Sequence, residues 1–352
     1  MTTAEQLAQV PVSRTGRRLG VSVMPLDNRR EVLVTLATQA DRLGFDVFLQ
    51  AETWSYDVPV LLSEMAMRTE RIRLASGILG VWSRSAGALA MVAAGLHAVS
   101  GGRFVLGLGA STPTLAEGLH DVPFAAPLGR LRTTATQVRA LLRGDRIPLA
   151  VATSARPLKL NVPPAPDLPI YLAALADASV RLAGEVADGW LPFLYPRDRL
   201  KDGMALLAEG AARAGRGSVH IAVWPTIPTA VAEDHDRARE GAAWFVAFYL
   251  TTMGPLYRQS LARQGFGRAV EAVLAANSPK FTGAVPPEAE HLLDQLTVYG
   301  TPAEARARLA RWHAAGADVA VVFLRPNLGP EEIEYTLSAF RPMLGPSGVA
   351  GA

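Results

Sequence analysis

Two short apolar segments decide the fold of this chain: Arg71-Ile-Arg-Leu-Ala-Ser-Gly-Ile-Leu79 and Arg103-Phe-Val-Leu-Gly-Leu-Gly-Ala-Ser111. Each is an apolar run that ends in glycine and small hydroxyl residues, which is typical of a strand buried on both faces. Residues 86–99 are apolar at helical spacing, so the pattern predicts strand, helix, strand. Parallel strands joined in this way open their carboxyl ends on one face, where α/β proteins bind their ligands.

The rest of the chain repeats this alternation. Further apolar runs predict strands at 19–24, 45–50, 170–173, 190–193, 219–227 and 318–323. Eight strands alternating with helices favour a (β/α)8 TIM barrel, an α/β fold, and we expect insertions near 150–168 and 240–298. An open doubly wound sheet is the alternative, and the lack of a complete G-x-G-x-x-G motif favours the barrel.

Composition limits the classes of protein. The 352 residues are 49% hydrophobic and 19% charged, which suits a large core and argues against disorder. The net charge is +3 and the basic residues are scattered, so we expect no nucleic-acid partner. Cysteine is absent, which excludes disulfides, thiol nucleophiles and iron–sulfur clusters. We expect one barrel domain at 19–345, between tails at 1–18 and 346–352.

The sequence also carries no signal for a membrane or a metal. No apolar run approaches the roughly 18 residues of a membrane span. The first 18 residues lack the apolar stretch of a secretory signal, so we expect a cytoplasmic protein without membrane contact. The six histidines have no metal-ligand spacing, and we expect no metal site.

Several side chains in the predicted carboxyl-end loops could carry chemistry. Glu52 follows the second strand and could accept a ligand hydrogen bond or act as an acid or base, or be an exposed loop glutamate. Trp54, Tyr56 and Trp82 could form walls for a flat aromatic ligand, or be ordinary loop packing. His120 is the histidine that falls in such a loop, and position alone makes it a candidate.

Two further segments could bind phosphate. In Gly107-Leu-Gly-Ala-Ser111 the glycines allow close backbone approach, and Ser111 or Thr112 could donate to phosphate oxygens. Ala174-Leu-Ala-Asp-Ala-Ser179 precedes a helix, whose first N–H groups would face an anion. Alternatively, Asp177 is the N-cap of that helix, and its charge would repel a phosphate.

The order and spacing of six segments together resemble one family, although no single segment is specific. The segments lie at 40–46, 71–77, 101–109, 181–190, 230–234 and 299–305. The chain resembles the bacterial luciferase-like flavin or deazaflavin oxidoreductases from about residue 19 to about residue 340. Within that family it is similar to the branch that uses coenzyme F420, a 5-deazaflavin with a phosphodiester and an oligoglutamate tail.

This resemblance implies the fold and a set of binding residues. The fold would be a (β/α)8 barrel of the bacterial luciferase-like type. A cis non-prolyl peptide at Ser76–Gly77, at the end of strand three, would support the central ring of the deazaflavin. The implied cofactor-binding residues are the strand-two acid, the strand-three bulge and two phosphate segments: Glu52, Ser76, Gly77, Gly109, Ala110, Ser111, Thr112, Ala176, Asp177, Ala178 and Ser179.

Three positions depart from the pattern of this family. Thr53 stands where the family commonly has a histidine that serves as a proton partner in sugar-phosphate and alcohol dehydrogenases. Thr112 stands where the sugar-phosphate dehydrogenases have a glutamate. Both differences argue against a glucose-6-phosphate dehydrogenase. Asp177 stands where the family would have a small neutral residue.

The resemblance implies an F420-dependent oxidoreductase. We expect hydride transfer from C5 of the reduced deazaflavin (F420H2) to an activated C=C or C=N of a small molecule or peptide, such as a dehydroamino acid in natural-product biosynthesis. Glu52 would hold the ring, and the proton would come from Tyr56, His120, Glu52 or water. The predicted substrate pocket consists of Thr53, Trp54 and Trp82.

Other functions and an oligomeric state stay open at this point. The alternative enzyme is an FMN-dependent luciferase-like monooxygenase, and the alternative of a different class is a non-catalytic cofactor-binding barrel. The lack of G-x-S-x-G and H-E-x-x-H motifs makes a hydrolase a distant third. Relatives are often dimers, and the apolar segment 244–250 could form a homodimer interface or pack in the core.

Overall fold

The computed structural model describes residues 17–217 and 219–345. The predicted tails at 1–18 and 346–352 therefore lie, apart from Arg17 and Arg18, outside the described residues. The strands of the described part are Leu19–Val23 (β1), Val47–Gln50 (β2), Arg73–Ser76 (β3), Leu79–Gly80 (β4), Phe104–Gly109 (β5), Ile170–Leu172 (β6), Gly189–Trp190 (β7), Ala222–Val223 (β8), Thr226–Val231 (β9), Val298–Gly300 (β10) and Ala320–Leu324 (β11).

Helices follow most strands. The α-helices of the described part are Arg30–Leu43 (α1), Val58–Arg68 (α2), Ala86–Val99 (α3), Pro113–Gly118 (α4), Pro127–Leu142 (α5), Asp177–Val186 (α6), Leu200–Arg213 (α7), His235–Thr252 (α8), Pro255–Leu261 (α9), Gly267–Ala276 (α10), Glu290–Leu296 (α11), Pro302–Ala315 (α12) and Pro330–Phe340 (α13). A π-helical turn at Ala262–Phe266 joins α9 to α10.

The strands form a parallel sheet that closes on itself. Its order is β10-β9-β11-β1-β2-β3-β5-β6-β7-β8, with β4 paired to β5. β8 and β9 occupy one position of the barrel, separated by Trp224 and Pro225. The Thr226 N–H donates to the Pro192 carbonyl oxygen at 3.0 Å, which joins this position to the segment after β7. The barrel therefore has eight strand positions, β10 adds to β9 outside it, and the predicted (β/α)8 barrel is confirmed.

Proline interrupts two of the predicted strands. The run at 190–193 forms a strand only at Gly189–Trp190, because Pro192 has no N–H to donate to a neighbouring strand. The run at 219–227 is divided into β8 and β9 at Pro225 for the same reason. The chain continues along the barrel past each proline, so the number of strand positions is unchanged.

The barrel interior is filled near the amino-terminal ends of the strands. Tyr171 and Trp224 meet edge to face there, with ring centroids 4.5 Å apart. The Arg73 guanidinium lies over the Trp224 ring at 4.7 Å, and burial lowers the pKa of this arginine. Val47, Val105 and other buried side chains complete this layer. Because this half of the barrel is solid, space for a ligand remains at the carboxyl ends.

The two predicted insertions differ in structure. Residues 143–169 contain no helix or strand and run over the outside of α5, where the Ala165 N–H donates to the Leu142 carbonyl oxygen at 2.8 Å. The second insertion forms α8 to α11, which cover β9 and β10. Phe245 and Leu250 are fully buried there, so the segment 244–250 packs largely within the protomer. No helix among the described residues is long and apolar enough to cross a membrane.

Candidate functional site

A cavity of about 470 Å³ opens at the carboxyl ends of the barrel strands. Every strand position contributes a residue to its wall, which makes this cavity the natural site of the fold. From β1 around the barrel to β11 these residues are Ser22, Leu49, Gly77, Gly109, Ala173, Leu191, Thr226 and Phe323. Loops and helices supply the remaining wall, and its two sides differ in chemical character.

The side next to β3 and β5 is built by close backbone approach. A Cβ on Gly77 would lie 2.0 Å from Leu49 Cδ2, so a side chain does not fit there. The cis peptide is Gly77–Ile78, and the predicted position, Ser76–Gly77, is wrong by one residue. Gly77 and Ile78 line the cavity. Ser76 is buried behind them, where its Oγ donates to the Gly107 carbonyl oxygen at 3.0 Å and accepts from the Gly107 N–H at 2.9 Å.

The loop after β5 continues this side of the wall. Gly109, Ala110, Ser111 and Thr112 all line the cavity. Ser111 has a φ of +57°, and Thr112 is the N-cap residue of α4. Because Pro113 has no N–H and the Leu115 and Ala116 N–H groups donate to the Thr112 carbonyl oxygen, Thr114 provides the backbone N–H at the start of α4 that can face the cavity.

Trp82 fixes this loop from behind. Its Nε1 donates to the Ala110 carbonyl oxygen at 2.6 Å, and its ring packs 5.2 Å from the Phe124 ring. Trp82 is 7% exposed and is not among the residues that line the cavity. The structure therefore places Trp82 behind the wall, whereas the sequence predicted it in the substrate pocket.

The second predicted phosphate segment borders the same side. Ala176, Ala178 and Ser179 line the cavity, and Ser179 Oγ donates to the Ala176 carbonyl oxygen at 2.7 Å. Ala176 is the N-cap residue of α6, so the alternative that Asp177 caps this helix is wrong. Asp177 is exposed and does not line the cavity. Two helix N-termini, those of α4 and α6, thus face one part of the cavity.

Glu52 lines the cavity with its carboxylate held by an arginine that the sequence did not single out. Arg84 Nη1 donates to Glu52 Oε2 at 2.5 Å and Arg84 Nη2 donates to Glu52 Oε1 at 2.8 Å. Arg84 also donates to Asp57 at 2.5 Å, and the Val58 N–H donates to Glu52 at 3.3 Å. The hydrogen bond to Glu52 raises the pKa of Arg84. This carboxylate is therefore ion-paired and fixed in orientation.

The other predicted loop residues separate into two groups. Thr53 and Trp54 line the cavity beside Glu52, Trp54 at its mouth with 51% of the side chain exposed. Tyr56 is 47% exposed and does not line the cavity. His120 is exposed and also lies outside the lining. Of the three predicted catalytic residues, the structure brings Glu52 alone to the cavity.

Two enclosed hydroxyls in the wall have no hydrogen-bond partner among the described residues. They are Ser22 Oγ, on β1, and Thr53 Oγ1. Leaving a buried hydroxyl without a partner costs about 1–3 kcal/mol, and a polar ligand in the cavity would remove that cost. Both atoms therefore indicate where the polar edge of a ligand would lie.

The opposite side of the cavity is aromatic. Phe193 follows β7, Phe323 lies on β11, and Tyr249 and Tyr257 come from α8 and α9 of the second insertion. Phe193 meets Tyr249 at 4.8 Å and Tyr257 at 5.6 Å between ring centroids, both edge to face. Sequence reasoning missed all four residues; for Tyr249, the helical period of 244–250 does not separate a core face from a cavity wall.

The charge of the cavity is low. In residues 17–217 and 219–345, no lysine, arginine or histidine belongs to the lining, and Glu52 is paired with Arg84. Burial raises the pKa of Tyr249 well above its ordinary value and that of Tyr257 to about 12. Both phenols are therefore neutral hydrogen-bond donors near pH 7. The hydrogen-bond donors for an anionic group of a ligand would therefore be helix N-termini and hydroxyl groups.

Known proteins share this architecture over most of the chain. A family model described as luciferase-like monooxygenase matches residues 13–319. A provisionally named coenzyme F420-dependent oxidoreductase of Mycobacterium tuberculosis is 30% identical over 336 residues, which cover 87% of this chain and 95% of that protein. The 5,10-methylenetetrahydromethanopterin reductase of Methanolobus tindarius is 26% identical over 301 residues, which cover 82% and 89%.

A solved structure has the same barrel. The coenzyme F420-dependent tetrahydromethanopterin reductase of Methanopyrus kandleri aligns with a TM-score of 0.78 and 21% identity, over 94% of this chain and 99% of that chain. At this level of identity the alignment shows a common fold.

Proposed function

The chain belongs to the luciferase-like monooxygenase family, and from that premise we propose that its cavity binds coenzyme F420 and that the protein is an F420-dependent oxidoreductase. The M. tuberculosis relative, 30% identical over 87% of this chain, has this cofactor in its name. The observation that carries the proposal is the cavity side on which the Gly77–Ile78 peptide and the N-termini of α4 and α6 lie together.

The residues present fit this cofactor. A cavity of about 470 Å³ is within the usual range of small-molecule sites. The glycine-walled side would accept a flat ring, and the unpartnered hydroxyls of Ser22 and Thr53 would meet its polar edge. Ser111, Thr112 and Ser179, with the N–H groups at the start of α6, would hold the phosphodiester.

When bound and reduced, the deazaflavin supplies a hydride from C5. The protein supplies orientation: the Gly77–Ile78 wall would support one face of the ring, and the fixed carboxylate of Glu52 would hold its rim. The bidentate contact with Arg84 fixes the orientation of the Glu52 carboxylate, so we assign Glu52 to binding and positioning. Aromatic and aliphatic side chains on the opposite side exclude water.

We infer that the acceptor is an activated C=C or C=N of an uncharged organic molecule or peptide, of which a dehydroamino acid in natural-product biosynthesis is one example. The lining of the described cavity has no cationic side chain for a sugar phosphate. Thr53 stands where alcohol-oxidising members of the family commonly have histidine. Both features support reduction of a double bond over oxidation of an alcohol.

The test is a parallel titration of the purified protein with oxidised coenzyme F420 and with FMN, followed by fluorescence and calorimetry. Tight binding of F420 with weak binding of FMN is the expected result. A preference for FMN would favour a flavin-dependent monooxygenase instead. Oxygen consumption with reduced FMN would then identify that activity. If the protein binds neither compound, the alternative of a non-catalytic barrel is favoured.

The oligomeric state stays a prediction. With Phe245 and Leu250 buried inside the protomer, the segment 244–250 no longer supports a homodimer interface. Sedimentation velocity of the purified protein over a range of concentrations measures the state directly.

A further inference from the structure

The two sides of the cavity differ in chemical character. Its β3, β5 and β6 side carries the glycine, alanine and hydroxyl residues, together with apolar side chains such as Ile78 and Leu115, and its opposite side carries the aromatic cluster. If the cofactor occupies the first side, as proposed above, the second side is the wall that a substrate would contact. The large side chains of that wall are Phe193, Tyr249, Met253, Leu256, Tyr257 and Phe323.

Two phenol hydroxyls in this wall lack protein partners. In the described residues no group forms a hydrogen bond with the hydroxyl of Tyr249 or Tyr257, although Tyr249 is only 4% exposed. Tyr299, outside the cavity, differs in this respect, because its hydroxyl donates a hydrogen bond to Glu290 Oε1 at 2.9 Å. Neither hydroxyl belongs to the enclosed polar atoms that lack a partner in the described residues, and both residues line the cavity, so the two hydroxyls are available to a bound ligand.

The two rings are held in place before any ligand binds. Tyr249 and Tyr257 meet at 5.5 Å with an interplanar angle of 87°, and both contact Phe193 edge to face. Phe323 closes the cluster at 5.5 Å from Phe193. Donors fixed in this way need no reorganisation when charge develops on a ligand, which is the condition for electrostatic stabilisation of a transition state.

We propose that Tyr249 and Tyr257 donate hydrogen bonds to the carbonyl oxygen of an uncharged, planar α,β-unsaturated carbonyl substrate. The aromatic wall selects a planar, apolar molecule, and the phenols select a hydrogen-bond acceptor on it. A carboxylate or phosphate substrate is disfavoured, because this wall has no cationic side chain in the described structure. The inference rests on the proposed F420-dependent function and names its substrate class.

These residues would serve a two-electron reduction of the substrate C=C bond. The β-carbon of the substrate gains a hydride, the π electrons move to the carbonyl oxygen as an enolate, and the α-carbon then takes one proton from water. The substrate thus gains one hydride, supplied by the reduced deazaflavin, and one proton, supplied by water; the hydroxide that water leaves would take up the proton that the deazaflavin releases on oxidation. The phenols hold the enolate oxygen while the C=C bond becomes a single bond. Burial raises the pKa of both phenols, so they remain protonated donors throughout the neutral range.

The test compares wild type with Tyr249→Phe, Tyr257→Phe and the double variant, using reduced F420 and cyclohex-2-en-1-one. We expect each single variant to lower kcat about 100-fold, the low end of the cost of losing one oxyanion donor. The double variant should lose less than the product of the two, because both donors serve one oxygen. The matched control is Tyr195→Phe, a buried phenol whose pKa is also raised to about 12 but which lies outside the cavity lining.

A second readout does not depend on turnover. Difference infrared spectra of the bound enone, recorded with oxidised F420 present, should show a carbonyl stretch lowered in wild type and in Tyr195→Phe. The shift should diminish in each single variant and disappear in the double variant, with unchanged affinity for F420. An enone carrying a carboxylate should bind and react far more weakly than the neutral enone.

The outcomes separate this inference from the proposed function. Failure of wild type to bind F420 refutes the proposed function, and the present inference with it. F420 binding without reduction of the neutral enone, or with preference for the carboxylate analogue, refutes the substrate class alone. If both tyrosine variants keep the kcat and the carbonyl frequency of the wild type, the proposed role of the phenols is refuted.

Discussion

The most direct test of the cavity wall is the substitution Gly77→Ala. A Cβ at this position would lie 2.0 Å from Leu49 Cδ2 and 2.5 Å from Leu49 Cγ. Because the branch point of Leu49 is also too close, rotation of its terminal methyl groups is not enough, and the whole side chain must move. Over-packing of this kind costs about 1–3 kcal/mol, and we expect about 2 kcal/mol here.

The side chain of Leu49 can move in one direction, towards the cavity. Leu49 is packed by barrel strands except where it lines the cavity, so the extra methyl group should push it towards the ligand space. We therefore expect Gly77→Ala to weaken F420 binding about tenfold, which corresponds to about 1.4 kcal/mol. Urea unfolding measures the loss of stability, and a fluorescence titration measures the dissociation constant.

Gly80→Ala is the matched control. The nearest atoms to a Cβ on Gly80 are Ser83 Oγ at 3.7 Å and Ser111 Cβ at 4.0 Å, so the methyl group fits. This variant should unfold at the wild-type urea concentration or slightly above it, since alanine reduces the freedom of the unfolded chain. Equal unfolding midpoints and equal F420 affinity for Gly77→Ala and Gly80→Ala would refute the reasoning about close approach.

Three further predictions concern polar contacts. Arg84→Met should destabilise the protein by about 1–3 kcal/mol in urea unfolding and weaken F420 binding, because Glu52 is left partly buried without its bidentate partner. Asp41→Ala should cost about 3 kcal/mol in the same assay, because its buried carboxylate accepts three backbone N–H groups, at 3.0, 3.1 and 2.7 Å. Hydrogen bonds from His235 and Thr301 lower the pKa of Glu304 to about 2, so the stability that Glu304 confers is complete above its ordinary pKa of 4.5 and is lost as pH falls towards 2.

Each of these has a control and a contradicting result. Glu52→Gln together with Arg84→Met should recover part of the stability, and no recovery would count against an unpaired carboxylate as the cause. Asp41→Asn keeps one acceptor oxygen and should lose less than Asp41→Ala. Glu304→Gln should be less stable than wild type at pH 6, and that difference should shrink between pH 4.5 and 2. A difference that stays constant over this range would contradict the pKa assignment of Glu304.

The sequence by itself determined the architecture and the face that carries the site. Apolar runs that alternate with amphipathic helices are local patterns, and they predicted the barrel without reference to any distant contact. The glycines at the ends of two runs also predicted where the backbone would come close to a ligand. Gly77 and Gly109 both line the cavity, and small residues at strand ends are a local signal with a direct steric meaning.

Only the tertiary structure decided which loop side chains reach the cavity. Tyr56 and His120 were predicted from the loops that contain them, but the direction of a loop side chain depends on packing against distant residues. Arg84 lies 32 residues from Glu52 in the sequence, and no local pattern pairs them. Apolar residues recur with the same helical period whether they face the core or a cavity. For this reason the sequence did not identify Tyr249 and Tyr257 as cavity residues, and the tertiary structure did.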